Sequence, residues 1–330
     1  MDLALLSAFF LAFALTLYVL LDGFDLGVGA LLLLPRDEAL RDHMVDAIAP
    51  TWDGNETWLI MAGVTLLAAF PIAYGILLPA FYLPLIAMLL ALGLRGVSFE
   101  FRQHTTSARP RWDAIFCGGS VVAALCQGAI VGGLIQGIAV EGEAFAGRPL
   151  DFATPFALLT ALTLLAGYAS LGAGWLRLKG QPPARLLSRR LAWFPLVFAA
   201  LGGLTCVSAA AVQPRVAAAW SVQPLPLAFV SVTFLVLAVW LHRRLSSEGH
   251  DAAPFVIGVA MFGCGVAGLG LAIFPDVVPF RLSLWDAASG TASHAFLLIG
   301  AAVVTPIVLA YSAFAYWVFR GRTPDAGWEA

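Results

Sequence analysis

Two carboxylates stand three residues apart within an apolar run: Asp22 and Asp25, in Asp22-Gly23-Phe24-Asp25-Leu26-Gly27-Val28-Gly29. On a helix that spacing puts both on one face, and Tyr18 and Gly29 extend the stripe. A second acidic group follows in Thr51-Trp52-Asp53-Gly54-Asn55-Glu56-Thr57-Trp58, and a third charged group in Arg95-Gly96-Val97-Ser98-Phe99-Glu100-Phe101-Arg102. Carboxylates bind and release protons when their surroundings tune them, and acids inside membranes often form proton relays. Asp22, Asp25, Asp53, Glu56, Arg95 and Glu100 are therefore candidates for a proton pathway. Trp52, Asn55 and Trp58 are candidates for structural or interface roles around it. Each group also fits a plainer role. Asp22 and Asp25 fit a charged pair at a frayed helix end. Asp53 and Glu56 have the spacing of a capping box, the tryptophans fit interface anchors, and Arg95 and Arg102 fit snorkelling cations. None of these alternatives explains why so much acid gathers beside an acidic first helix.

Composition shows which solvent surrounds these groups. Of 330 residues, 61% are hydrophobic and 12% are charged, and the mean hydropathy is +0.89. Soluble domains carry about 25% charged residues, and a water-soluble fold could not hide so much apolar surface. A membrane span needs about 20 mostly apolar residues. The pattern predicts an all-α polytopic membrane protein with nine transmembrane helices, in one integral domain over residues 1–330. The expected spans are Leu3–Leu34, Glu56–Phe70 extending toward Leu77, Pro79–Phe101, Ala114–Ile138, Pro155–Leu176, Leu191–Val212, Leu225–Leu241, Phe255–Phe274 and His294–Phe319. Four lie within 1–140, four within 153–276 and one within 292–320, which suggests two four-helix bundles and a C-terminal helix. Pro149, Pro182-Pro183, Pro214, Pro224 and Pro275 are read as breakers in the connecting loops. The first run lacks the positive leader of a signal peptide: Asp2 is negative and the first basic residue is Arg36. It is expected to be a retained span of about 48 Å, with its aspartates toward the far end.

Orientation follows from Lys and Arg. Loops after the first, third, fifth and seventh spans, with the C-terminal tail, hold all but Arg148, Arg215 and Arg281 of the 18 basic residues. That side is expected to be cytoplasmic and the N-terminus external, so all three charged groups fall on the cytoplasmic side. The net charge of −2 is uninformative. Cys117, Cys126, Cys206 and Cys264 fall inside spans without metal-binding spacing. His43, His104, His242, His250 and His294 fall in loops or at span ends, and Met61, Met88 and Met261 read as core residues. No haem, metal or nucleotide site is inferred in this chain.

These motifs resemble subunit II of the cytochrome bd family of quinol oxidases. The resemblance is carried by DGFDLGVG (Asp22–Gly29), IAPTWDGNETWL (Ile48–Leu59), FPIAY (Phe70–Tyr74), RGVSFEFR (Arg95–Arg102), LWDAAS (Leu284–Ser289), PIVLAY (Pro306–Tyr311) and YWVFRG (Tyr316–Gly321). It spans the whole chain, though spans four to eight match mainly by topology. NETW resembles the cyanide-insensitive branch. The resemblance implies a heterodimer in the bacterial inner membrane. Its subunit I carries two b-type haems and haem d, oxidises quinol and reduces oxygen to water. Subunit II is haem-free, with no catalytic residue or metal ligand of its own. The family's cytoplasmic proton inlet maps onto Asp53, with Arg95 and Asp25 as charged neighbours. Glu100 stands where an aspartate is common. A structural quinone in this subunit and small single-span accessory subunits are further implied possibilities. On the residues alone, a proton-coupled secondary transporter fits the intramembrane acids and glycines equally well, and a purely structural scaffold is a third reading. A transporter would need polar sites near the bilayer midplane or broken helices in related halves, and no such sites are visible beyond the cytoplasmic group.

Overall fold

The computed structural model describes residues 2–105, 107–248 and 252–323; His250 lies outside them. Asp2 caps the first helix, α1 (Leu3–Leu31), by accepting a hydrogen bond from the Leu5 N–H at 3.0 Å. That bond, helped by one from Trp285, holds the Asp2 carboxyl below the usual carboxylate range. After α1 come α2 (Glu38–Asp46), α3 (Trp52–Ala69), α4 (Pro71–Ala80), α5 (Tyr82–Gln103), α6 (Arg109–Gln136) and α7 (Pro155–Lys179). They are followed by α8 (Pro182–Arg190), α9 (Phe194–Val212), α10 (Pro214–Val222), α11 (Pro224–Ser246), α12 (Ala253–Ile273) and α13 (Thr291–Val318). Two short antiparallel hairpins interrupt the helices. β1 (Val140–Glu141) pairs with β2 (Ala144–Phe145) between α6 and α7, and β3 (Asp276–Val278) pairs with β4 (Leu282–Ser283) between α12 and α13.

Among the described residues, eight helical stretches are long and apolar enough to cross a membrane: α1, α5, α6, α7, α8 with α9, α11, α12 and α13. The ninth expected span corresponds to α3, whose first turns hold Asp53, Asn55 and Glu56 and so lower its mean hydropathy. Its continuation toward Leu77 does not form as one helix. Pro71 has no N–H to donate and disfavours helical geometry at the residue before it. Phe70 accordingly leaves the helical region, at φ −133° and ψ 61°, and α4 starts afresh. Pro79 lies inside α4 instead of opening the next span, which begins at Tyr82. Pro182, Pro214 and Pro224, expected in loops, open α8, α10 and α11. The first helical position tolerates proline because its N–H would be unpaired anyway.

α1, α3, α5 and α6 pack as one group, and α7, α9, α11 and α12 as another; α1 and α6 both lie against α7 and join them. α13 rests on α1 and α3. Where α1 meets α7 the backbones nearly touch. A Cβ on Gly27 would lie 1.9 Å from the Tyr168 carbonyl oxygen, and one on Gly172 would lie 2.5 Å from the Gly27 carbonyl carbon. Small residues allow this approach, as they do at helix crossings in lipid. The outer surface is apolar: Phe9 is 71% exposed, Leu225 81% and Phe296 83%.

Candidate functional site

The charged groups meet where the C-terminal half of α1, the start of α3 and the later turns of α5 come together. Arg95 on α5 is 1% exposed. Its Nη2 donates to Asp22 Oδ1 at 2.8 Å and to Glu56 Oε1 at 2.6 Å. The Trp52 ring lies under the guanidinium, 5.9 Å from its carbon, and stacks on Phe99. A guanidinium suits this place because it stays charged and combines paired donors with a stacking face.

Asp25 lies beside this group. Its Oδ2 accepts from Asn55 Nδ2 at 2.7 Å, and the same nitrogen donates to the Leu21 carbonyl at 3.2 Å. Asn55 Oδ1 accepts from the Tyr316 hydroxyl of α13 at 3.0 Å. Asp22 Oδ2, Asp25 Oδ1, and Nε and Nη1 of Arg95 are buried with no hydrogen-bond partner among the described residues. On the other side, Gln127 of α6 donates from Nε2 to the Tyr18 hydroxyl at 2.7 Å. Gln127 Oε1 accepts from the Tyr168 hydroxyl of α7 at 2.6 Å.

Of the residues singled out in the sequence, Asp22, Asp25, Glu56, Arg95, Asn55 and Trp52 come together. Asp22 and Asp25 are fully buried, and the Glu56 side chain is 25% exposed. Asp53 is exposed in the first turn of α3. Glu100 is exposed and lies 3.9 Å from His104, facing away from the cluster. Trp58 is buried against the edge of Phe13. The capping box does not form. α3 begins two residues earlier, after Thr51, with no side-chain cap, and Glu56 reaches Arg95 instead of a backbone N–H.

Gln127, Tyr168 and Tyr316 were not singled out as site residues, and neither was a second ion-pair group beside the cluster. Asp113 Oδ1 accepts from Arg102 Nε at 2.5 Å, and its Oδ2 from Arg41 Nη1 at 2.8 Å. Asp42 accepts from Arg102 and Arg109, so α2, α5 and α6 are tied together. The signal for Asp113 was its place four residues after Arg109, at the start of a span. Gln127 was visible only as a lone amide in mid-span.

Together these features form a staircase of acids, exposed at Asp53, partly exposed at Glu56 and buried at Asp22 and Asp25, with a fixed cation in its midst. A sequence model of the family described as cytochrome bd terminal oxidase subunit II matches residues 3–319. The chain belongs to this family. Cytochrome bd-I ubiquinol oxidase subunit 2 of Escherichia coli strain K12 is 31% identical over 357 aligned residues, covering 96% of this chain and 93% of that protein. Cytochrome bd ubiquinol oxidase subunit 2 of Bacillus subtilis strain 168 is 28% identical, with 92% of each covered. The fold matches a chain in the structure of bd oxidase from Geobacillus thermodenitrificans with a TM-score of 0.74. That match has 16% identity and covers 97% of this chain and 99% of the other.

Family membership raises the question of haem. Among the described residues, no group of three His, Cys, Asp or Glu is placed to hold a metal. His43 Nε2 accepts from the Gln181 N–H, His242 Nδ1 bonds the Ala192 carbonyl and His294 Nδ1 bonds Ser7. A cavity of about 240 Å³ near the start of α5 and the end of α6 is lined by Phe81, Gly133, Gln136, Phe145 and Phe152 among others, with no His or Met. The buried His294 is thus taken up by Ser7, and none of these histidines lines the cavity.

Proposed function

We propose that this chain is the haem-free subunit II of a bd-type quinol oxidase in the bacterial inner membrane, where it scaffolds a haem-bearing subunit I and supplies a cytoplasmic proton inlet. The complex would couple quinol oxidation to reduction of oxygen to water and build a proton motive force. Its two b-type haems and haem d would belong to subunit I. In this reading α3 is the ninth span, the N-terminus is periplasmic and the C-terminus cytoplasmic.

The observation that carries the inlet is the buried Arg95 held between Asp22 and Glu56, with Asp53 and Glu56 leading out to the surface. Burying this much charge is costly even when paired, so a purely architectural purpose would be served better by apolar packing. Asp53→Asn in the assembled complex tests the inlet. Oxygen consumption is expected to fall by about tenfold, equivalent to about 1.4 kcal/mol on the barrier, with haem content unchanged. Full turnover would remove the inlet, and loss of assembly would leave the scaffold role alone.

A further inference from the structure

We infer that Asp25 is the acid that carries a proton in this cluster, that Asp22 is a fixed anion paired with Arg95, and that a hydrogen-bond chain from Tyr168 through Gln127 to Tyr18 separates the two roles. This rests on the proton-inlet reading and assigns work within it.

The first argument is contact with the cation. Asp22 and Glu56 both touch Arg95, and Asp25 does not. With all three acids ionised, one guanidinium would face three carboxylates in a largely buried space. The acid without a direct ion pair to the cation is the one that gains most from being neutral. The titratable groups around Asp25 are Asp22, Glu56, Arg95 and Tyr316.

The second argument is the direction of the hydrogen bonds. The buried Tyr168 hydroxyl donates to Gln127 Oε1, and Nε2 of the same amide donates to Tyr18. Tyr18 accepts that bond, so its own proton is free for another acceptor. The Asp22 carboxylate lies beside this hydroxyl, one helical turn along α1. All three groups thus present donors in one sense, ending toward Asp22, and aligned chains of this kind reinforce one another. A reversed Gln127 amide would instead take the Tyr18 proton and aim only lone pairs at Asp22.

Asp25 has a different environment. The Leu21 carbonyl can only accept, so it pins Asn55 with Nδ2 toward Asp25, and Tyr316 holds the other end of the amide. Asp25 Oδ2 receives this one neutral donor and Oδ1 is buried with no partner, as Asp22 Oδ2 is, so what sets Asp25 apart is that neither of its oxygens touches the cation. Gln127 and Tyr168 are positioning residues, acting on Asp22 through Tyr18. Gly23 makes their arrangement possible, because a Cβ there would come within 2.5 Å of the Tyr168 ring.

Infrared difference spectra of the purified oxidase complex test this, with protonated carboxyl bands identified by their shift in D2O. The spectrum of the unaltered complex minus Asp25→Asn is expected to show loss of a protonated carboxyl band. Minus Asp22→Asn, it is expected to show loss of carboxylate bands only. The opposite assignment overturns the proposal. If Asp22→Asn does not assemble, Gln127→Leu with Tyr168→Phe leaves both aspartates in place. It is expected to add a second protonated carboxyl band, and an unchanged carboxyl region there overturns the role of the chain. These bands are read without turnover, so failure of the inlet in the Asp53→Asn assay remains a separate result.

Discussion

Arg95 holds Asp22 and Glu56 with a single nitrogen, while its other two nitrogens are buried without a partner among the described residues. Asn55 is the complementary case, an amide with its bonds made to Asp25, Leu21 and Tyr316. Asn55→Leu keeps the size and removes all of them, leaving Asp25 Oδ2 without a partner and taking one from the Tyr316 hydroxyl. Orphaning buried polar groups costs about 1–3 kcal/mol, so the thermal midpoint of the purified complex is expected to fall by several degrees. An unchanged midpoint would show that Asn55 does not bind the cluster together. Much of this site was legible in the sequence, because two aspartates in an apolar run have few cheap explanations. Helical spacing carried further information. Glu100 is five residues from Arg95, about 140° around the helix, whereas Arg102 is seven away and nearly in line. Accordingly Glu100 faces out and Arg102 is buried on Asp113. Gln127 and Tyr168 were hidden because a single polar residue in a span gives no sign of its partner on another helix.

At the scale of elements, the contact of α1 with α7 decides whether the acids of α1 can be buried. Gly27 and Gly172 meet there backbone to backbone, where no side-chain rearrangement relieves an added methyl. Gly27→Ala is expected to cost about 1–3 kcal/mol through overpacking and to lower the yield of folded protein. Gly63→Ala on α3, with nothing within 4 Å of its added Cβ, serves as the control and is expected to be neutral or mildly stabilising. Equal effects of the two substitutions would mean that the close crossing does not limit stability. The spans were legible from hydrophobic runs, and the glycines signalled a close approach without naming α7 as its partner. The break at Phe70 was written in Pro71, but the apolar run through Leu77 hid it. The three short helices α2, α8 and α10 were read as loops, since each has only nine residues and leaves no span-length signal.

At the scale of the molecule, α13 shows how the two ends of the chain are fastened. Among the described residues, His294 is the one buried residue on it. The helix is held mainly at its ends, by Ser7 on His294 at one and by Tyr316 on Asn55 at the other. Just beyond it, Lys179 donates to the Phe319 carbonyl and Gln181 to the Thr323 carbonyl. Between these ends, Phe296, Ile299, Val303 and Ile307 face outward and leave an apolar surface for lipid or a protein neighbour. Family membership was legible because the motifs fall in order along the whole chain, while the count of spans turns on α3, whose polar start serves the cluster at the expense of hydropathy. If the chain is a haem-free subunit of a bd-type oxidase, its optical spectrum must depend on its company. The most direct measurement is the absorption spectrum of the tagged chain, purified in mild detergent and again after its partner is stripped away. The intact preparation is expected to show b- and d-type haem bands together with a second large subunit, and the stripped chain none. Stoichiometric haem remaining on the stripped chain would contradict the assignment.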